Sequence, residues 1–195
     1  MTHTLIFATN NQNKVLEISG LVPENIKIIT LKDAGIFTDI EEPYPTIEEN
    51  AREKSRYIFE LTKQHCFGED TGLLIDALNG EPGVKSARYA GEDRNFEANL
   101  QKVIRLMQNA STFTARFKTI ISLVWQEKVY SFEGICEGSI ALTPRGTEGF
   151  GYDPIFIPTG SEKTFAEMDV NEKNIFSHRK KAFAAMLSFL QMHQY

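Results

Sequence analysis

Residues able to do chemistry together gather in a few short segments of this chain. Thr9, Asn10, Asn11, Gln12, Asn13 and Lys14 follow one another where an apolar run gives way to a helical pattern. Free backbone N–H groups and the helix dipole make such a strand-to-helix turn an anion site, and Lys14 adds a mobile positive charge. An asparagine-rich cap with a surface lysine explains the same residues. The acidic residues Glu42, Glu49, Glu69 and Asp70 come next. Carboxylates at strand ends suit magnesium, which wants oxygen ligands and keeps positions for a phosphate. Glu49 is accounted for by the T-x-x-E capping box that starts at Thr46, and Glu42 by a solvated loop. Asp70 is harder to dismiss, because Glu69-Asp70 interrupts two apolar runs.

Gly149-Phe150-Gly151-Tyr152-Asp153-Pro154 pairs glycines, which let a backbone approach a ligand, with two flat rings on which a base could stack. A glycine-rich turn with core aromatics is the plain alternative. Ser177 is a good N-cap, and His178, Arg179, Lys180 and Lys181 follow it, where a helix dipole disfavours cations. That run suggests an anionic or carbonyl-bearing partner, or a solvated basic turn. The usual nucleotide and hydrolase signatures are missing. The sequence has no G-x-x-x-x-G-K-[ST], no spaced G-x-G-x-x-G, no H-E-x-x-H and no G-x-S-x-G.

The elements that must position these residues follow from periodicity. Residues 4–8 read as a buried strand, 11–20 as a helix and 26–31 as a second strand. Residues 33–45 read as loop. A helix is predicted over 46–64, with Ile47, Ala51, Ile58 and Leu61 on one face. Residues 66–69 and 73–78 are expected as strands around an Asp70-Thr71-Gly72 turn. Phe96, Leu100, Val103, Ile104 and Met107 mark another helix. Residues 113–125 alternate as a long strand, turned at Gln126-Glu127-Lys128 into a second over 129–137. The last helix begins near Ser177 and carries Phe183, Met186, Leu187 and Leu190. Early β/α alternation with a late hairpin predicts an α/β domain built on a mixed sheet.

The chain of 195 residues has a formal net charge of −5. An acidic balance argues against duplex binding but not against a nucleotide enzyme, where magnesium neutralises much of the phosphate charge. Cys66 and Cys136 form no C-x-x-C pair, which suggests free thiols in a reduced, cytoplasmic setting. No signal peptide, transit peptide or membrane helix is expected.

Taken together, ATNNQNK (8–14), TIEENAREK (46–54), EDTGL (69–73), PGVKSARYAG (82–91), FGYDPIF (150–156) and SHR (177–179) resemble the inosine triphosphate pyrophosphatase family. The resemblance runs from Leu5 to Lys181. It implies a single domain over 1–195, an elongated mixed β-sheet flanked by helices, two lobes with a central active-site cleft, and a homodimer. It implies magnesium-dependent cleavage of ITP, dITP or XTP to the monophosphate and pyrophosphate, with no nucleic-acid or membrane partner. Thr9, Asn10, Asn11, Gln12, Asn13 and Lys14 would hold the triphosphate. Asp70 would be the catalytic carboxylate and a magnesium ligand, with Glu42 as the second ligand. Thr71 would touch the substrate. Phe150, Gly151, Tyr152 and Asp153 would contact the base, Lys173 the nucleotide, and His178 and Arg179 the base edge. Arg179, a donor only, would favour a 6-oxo purine over adenine.

The chain departs from the family's pattern at Asn10 of Thr9-Asn10-Asn11, where the usual triplet is T-G-N. Glu69-Asp70-Thr71-Gly72 stands where Asp-Asp-Ser-Gly is usual. Glu42-Pro43-Tyr44-Pro45 lacks the usual glycine. A pyrophosphatase for modified pyrimidine nucleotides, a non-hydrolysing nucleotide-binding protein and a hydrolase releasing single phosphates are the alternative readings.

Overall fold

A computed structural model describes residues 2–193. The elements run β1 (His3–Phe7), α1 (Gln12–Ser19), β2 (Ile26–Thr30), α2 (Ile47–Thr62), β3 (Cys66–Ile75), β4 (Pro82–Gly83), α3 (Phe96–Met107), β5 (Thr114–Trp125), β6 (Lys128–Ile140), β7 (Phe156–Pro158), α4 (Val170–Phe176) and α5 (His178–Met192). The strands are hydrogen-bonded in the order β2-β1-β3-β5-β6-β7, and β4 pairs with β3. β1 is parallel to both β2 and β3, whereas β3–β4 and β6–β7 are antiparallel. The sheet is therefore mixed, as expected. No helix among the described residues is long and apolar enough to cross a membrane.

The chain divides into two compact units. One comprises the residues up to Asp70, Thr119–Gly134 and those from Arg179 on; the other is Thr71–Lys118 with Ile135–His178. In the first unit, strand residues are buried on both faces of the sheet. Leu5, Phe7, Phe67, Ile121 and Leu123 pack with Ala182, Phe183, Met186 and Leu190 of α5. Ile6, Cys66 and Val124 pack with Ile58 of α2. Burial on both faces explains why these strands read as apolar runs rather than strict alternation. α2 lies close on β3 because residue 68 is glycine: a Cβ there would overlap the Ala51 carbonyl oxygen and lie 2.8 Å from Ser55 N. In the second unit, Leu100, Val103 and Met107 of α3 pack with Leu73, Ile75, Phe117, Ile155, Phe156 and Phe165.

The structure corrects the expected turn at Asp70-Thr71-Gly72 and adds a helix. β3 runs unbroken through Asp70-Thr71-Gly72, and Leu73 and Leu74 pair with Gly83 and Pro82. The polar pair is carried on an extended strand, not on a turn. No helix is expected from the sequence where α4 lies, although Asp169 and Glu172 form a reciprocal capping box at its start. Asn10, which stands where the family's usual triplet has glycine, is not among the residues with positive φ. The β5–β6 hairpin turns where expected. Gln126 and Glu127 take positive φ, 49° and 63°, the two-residue geometry that matches strand twist.

Candidate active site

In the first unit, β1 delivers the chain to the turn that opens α1. The Thr9 hydroxyl oxygen accepts from Asn11 N at 3.1 Å, and Asn11 caps α1 by accepting from Asn13 N at 3.0 Å. Lys14, on the first turn of α1, reaches Glu69 Oε2 at 3.4 Å. Burial lowers the Lys14 ammonium from the usual lysine value, and Glu69 opposes that shift. Asn10, Gln12 and Asn13 are exposed.

The acidic centre forms on β3 and α2. Lys54 Nζ donates to Asp70 Oδ1 and to the Glu69 carbonyl oxygen, both at 3.1 Å, and pairs with Glu42. Burial raises Asp70 from the ordinary aspartate value, against the pull of Lys54 and Lys14. Burial alone would lower Lys54, but Asp70 and Glu42 outweigh it and the net shift is upward. The loop holding Glu42 is tied down at Tyr44, whose N–H donates to Asn50 Oδ1 at 3.0 Å and whose carbonyl accepts from Asn50 Nδ2 at 3.0 Å. Sequence reasoning named Glu42 and Asp70 but missed Lys54. The signal was there: Lys54 falls on the same helical face as Ile47, Ala51 and Ile58, where an apolar residue belongs. Glu49 accepts from the Thr46 hydroxyl at 2.6 Å, and its backbone N–H donates to that hydroxyl, which caps α2.

Arg179 is 2% exposed. Its Nε and Nη2 donate to Glu69 Oε1 at 3.3 and 3.2 Å, and its Nη1 pairs with Glu17 of α1. Burial would lower the guanidinium's pKa, but Glu69 and then Glu17 raise it. This answers the question posed by a basic helix start. The anionic partner of Arg179 is the protein's own pair of carboxylates, and charge-assisted bonds offset a dipole cost of about 0.3–1 kcal/mol. The base-edge role predicted for Arg179 meets a guanidinium already committed to Glu69 and Glu17.

In the second unit, Phe150, Asp153 and Lys173 come together. Lys173 Nζ donates to Asp153 Oδ2 at 2.7 Å and stands 5.5 Å from the Phe150 ring centroid. Phe150 N donates to the same Asp153 oxygen at 2.8 Å. The Phe150 ring is partly exposed and lies 6.2 Å from that of Phe96. Tyr152 departs from the expected flat, available face. It is buried in the core, its hydroxyl donates to the Ser86 carbonyl at 2.9 Å, and burial raises its phenol pKa. His178 is buried too, stacked on Phe117 at 4.7 Å. Thr71 and Gly151 are half-buried.

The donor set fits a hard divalent cation. Glu42 and Asp70 already converge on one cationic centre, the Lys54 ammonium, and both offer carboxylate oxygens. Among the described residues no group of three or more His, Cys, Asp or Glu is placed to hold a metal. Two carboxylates with the remaining positions left to water and phosphate is magnesium's habit.

A profile of the Ham1 family matches residues 5–189. The dITP/XTP pyrophosphatase of Flavobacterium johnsoniae is 47% identical over 186 residues, covering 95% of this chain and 97% of that protein. That of Porphyromonas gingivalis is 42% identical over 187 residues, covering 95% and 96%. Among solved structures, a HAM1 protein from Coxiella burnetii aligns with a TM-score of 0.90 at 36% identity, covering 98% of this chain and 100% of that one. The Staphylococcus aureus Ham1 protein gives 0.88 at 35% identity, covering 97% and 98%. The family profile, the relatives and the solved folds all match nearly the whole length, and the chain belongs to the Ham1 family.

Proposed function

We propose that this protein hydrolyses non-canonical purine nucleoside triphosphates (dITP, XTP and ITP) to the monophosphate and pyrophosphate. The observation that carries the reading is the convergence of Glu42 and Asp70 on one buried ammonium, next to the Lys14–Glu69 pair at the opening of α1. The names borne by the relatives, dITP/XTP pyrophosphatase, support the base preference.

In this reading, Thr9, Asn10, Asn11, Gln12, Asn13 and Lys14 take the triphosphate through backbone N–H groups and the Lys14 charge. Glu42 and Asp70 hold magnesium, which supplies charge neutralisation at the phosphates when bound. Thr71 touches the substrate, and a carboxylate of this centre orients the attacking water toward the α-phosphorus. Lys54 holds Asp70 and Glu42 in register. Phe150 stacks on the base, with Gly151 letting the backbone approach, and His178 presents its edge to the base. Arg179 enters through Glu69, which it fixes from one side while Lys14 approaches from the other. Most of the catalytic work is positioning and charge neutralisation.

The buried thiols Cys66 and Cys136 are not joined in a disulfide, which fits a reducing compartment, so we place the enzyme in the cytoplasm. We take it as a homodimer, which light scattering of the purified protein tests. The deciding experiment for function is the product of ITP with magnesium. Inosine monophosphate and pyrophosphate are expected; inosine diphosphate and phosphate, or turnover of ATP equal to that of ITP, overturns the proposal. Asp70→Asn should lower turnover roughly 100-fold or more and leave the circular dichroism spectrum unchanged.

A further inference from the structure

Asp153 is buried to 3% exposure and sits beside Phe150, the ring to which the proposed function assigns the base. One of its oxygens does two things. Oδ2 accepts from Phe150 N at 2.8 Å and from Lys173 Nζ at 2.7 Å. The Phe150 carbonyl in turn accepts from Asp153 N at 3.3 Å. The peptide on each side of Phe150 is thus tied to one residue. The preceding Gly149 has φ +76°, and a Cβ there would overlap Asp153 Oδ2 and lie 2.9 Å from Cγ. The glycine is needed both for its backbone and for the space the carboxylate fills. Lys173 completes the arrangement, its ammonium held near the Phe150 and Phe165 rings at 5.5 and 5.3 Å.

We propose that Asp153 is a positioning residue rather than a substrate ligand: it clasps the Gly149–Phe150 turn and the Lys173 ammonium, and so fixes the ring that stacks on the base. A carboxylate with its oxygen committed to an N–H and an ammonium has little reason to face a nucleotide, whose phosphates repel it. Its contribution to affinity is made through Phe150. The inference rests on the proposed function, and the test separates the two.

The test is a double-mutant cycle between Asp153 and Phe150, read in KM for ITP, kcat, and the inhibition constant of inorganic tripolyphosphate, which has no base. Asp153→Ala should raise KM for ITP about tenfold, with kcat and tripolyphosphate inhibition within threefold of the parent. In a Phe150→Ala background, the same change should cost less than threefold. Asp153→Asn, which still offers an oxygen to Phe150 N, should recover part of the loss and serves as the cycle's variant if the alanine form does not fold. Multiplicative effects of the two sites, or loss of tripolyphosphate inhibition in parallel with ITP, overturns the clasp. A parent protein that releases no pyrophosphate from ITP overturns the function instead, and the clasp with it.

Discussion

Replacing Lys54 by methionine tests the acidic centre most directly, because the unbranched stem stays and only the ammonium goes. Lys54 Nζ lies 3.1 Å from Asp70 Oδ1 and also pairs with Glu42. At an effective dielectric of about 20 the gross attraction to Asp70 is about 5 kcal/mol, much of it offset by the desolvation of both charges. Removing one member of a buried pair leaves the other uncompensated, which costs about 3–5 kcal/mol. There is a ceiling, since Asp70 can take up a proton. From an ordinary aspartate value of about 3.9, that costs at most about 5 kcal/mol at pH 7.5, and less here, because burial already raises Asp70. For a chain of this length the loss corresponds to a fall in Tm of roughly 6–20 °C.

The sign with pH follows from the same cause. Lys54 opposes the rise in Asp70, so its loss sends Asp70 higher. A carboxylate raised in the folded state holds its proton better folded than unfolded. The variant's deficit is therefore full above the folded pKa and shrinks as pH falls toward the unfolded one. Thermal melts at pH 7.5 and pH 5 read this directly. The acid limb of kcat/KM, which reports the free enzyme, should move to higher pH in Lys54→Met. Excess magnesium should recover part of the lost stability by binding the two carboxylates. A variant that melts within 1 °C of the parent at pH 7.5, with its acid limb unmoved, refutes the reasoning.

Gly68→Ala places a Cβ 2.7 Å from Lys54 Cβ and 2.8 Å from Ser55 N, against backbone that cannot rotate away. It should cost about 1–3 kcal/mol and lower activity by shifting Lys54, and a melt as stable as the parent's counts against the close packing of α2. Cys66 is buried, and burial pushes its thiol up to about 12; it should stay unreactive to a disulfide reagent at pH 8 until denaturant is added, and rapid native labelling at that residue contradicts the burial. Burial lowers Lys14, so its positive charge is lost at lower pH than an exposed lysine's. kcat/KM should fall early on the alkaline side, and Lys14→Arg, charged throughout, should delay that fall. A superimposable alkaline limb in the two proteins removes Lys14 from phosphate binding.

The sequence made legible what depends on neighbours along the chain. Thr46 and Glu49 announced the start of α2, and Asn11 the start of α1, because caps and periodicity are local. The polar pair Glu69-Asp70 is visible in the sequence but its extended setting is not, since an apolar run broken by carboxylates reads as two strands around a turn. The backbone is extended without a break from Cys66 to Ile75, and its far end pairs with β4 through Leu73 and Leu74. Tyr152 reads as a stacking platform because it is a flat ring in a glycine-containing segment. The carbonyl that accepts its hydroxyl's hydrogen bond lies 66 residues away at Ser86.

The long separations also say why these charges are there. Arg179 and Glu69 are 110 residues apart, and Arg179 and Glu17 are 162 apart. Such a network contributes little to stability for its size, because replacing buried ion pairs with packed apolar groups is often neutral or stabilising. A core of this size would fold as well without burying Lys14, Lys54, Glu69, Asp70 and Arg179. Their burial makes sense if their charges are needed at fixed points, with each carboxylate held by a buried cation and Glu69 held from two sides. Lys54 holds Asp70 and Glu42, while Lys14 and Arg179 hold Glu69. Both β3 carboxylates are thereby oriented before any phosphate or metal arrives, and that preorganisation is the largest contribution a protein can make to phosphoryl chemistry.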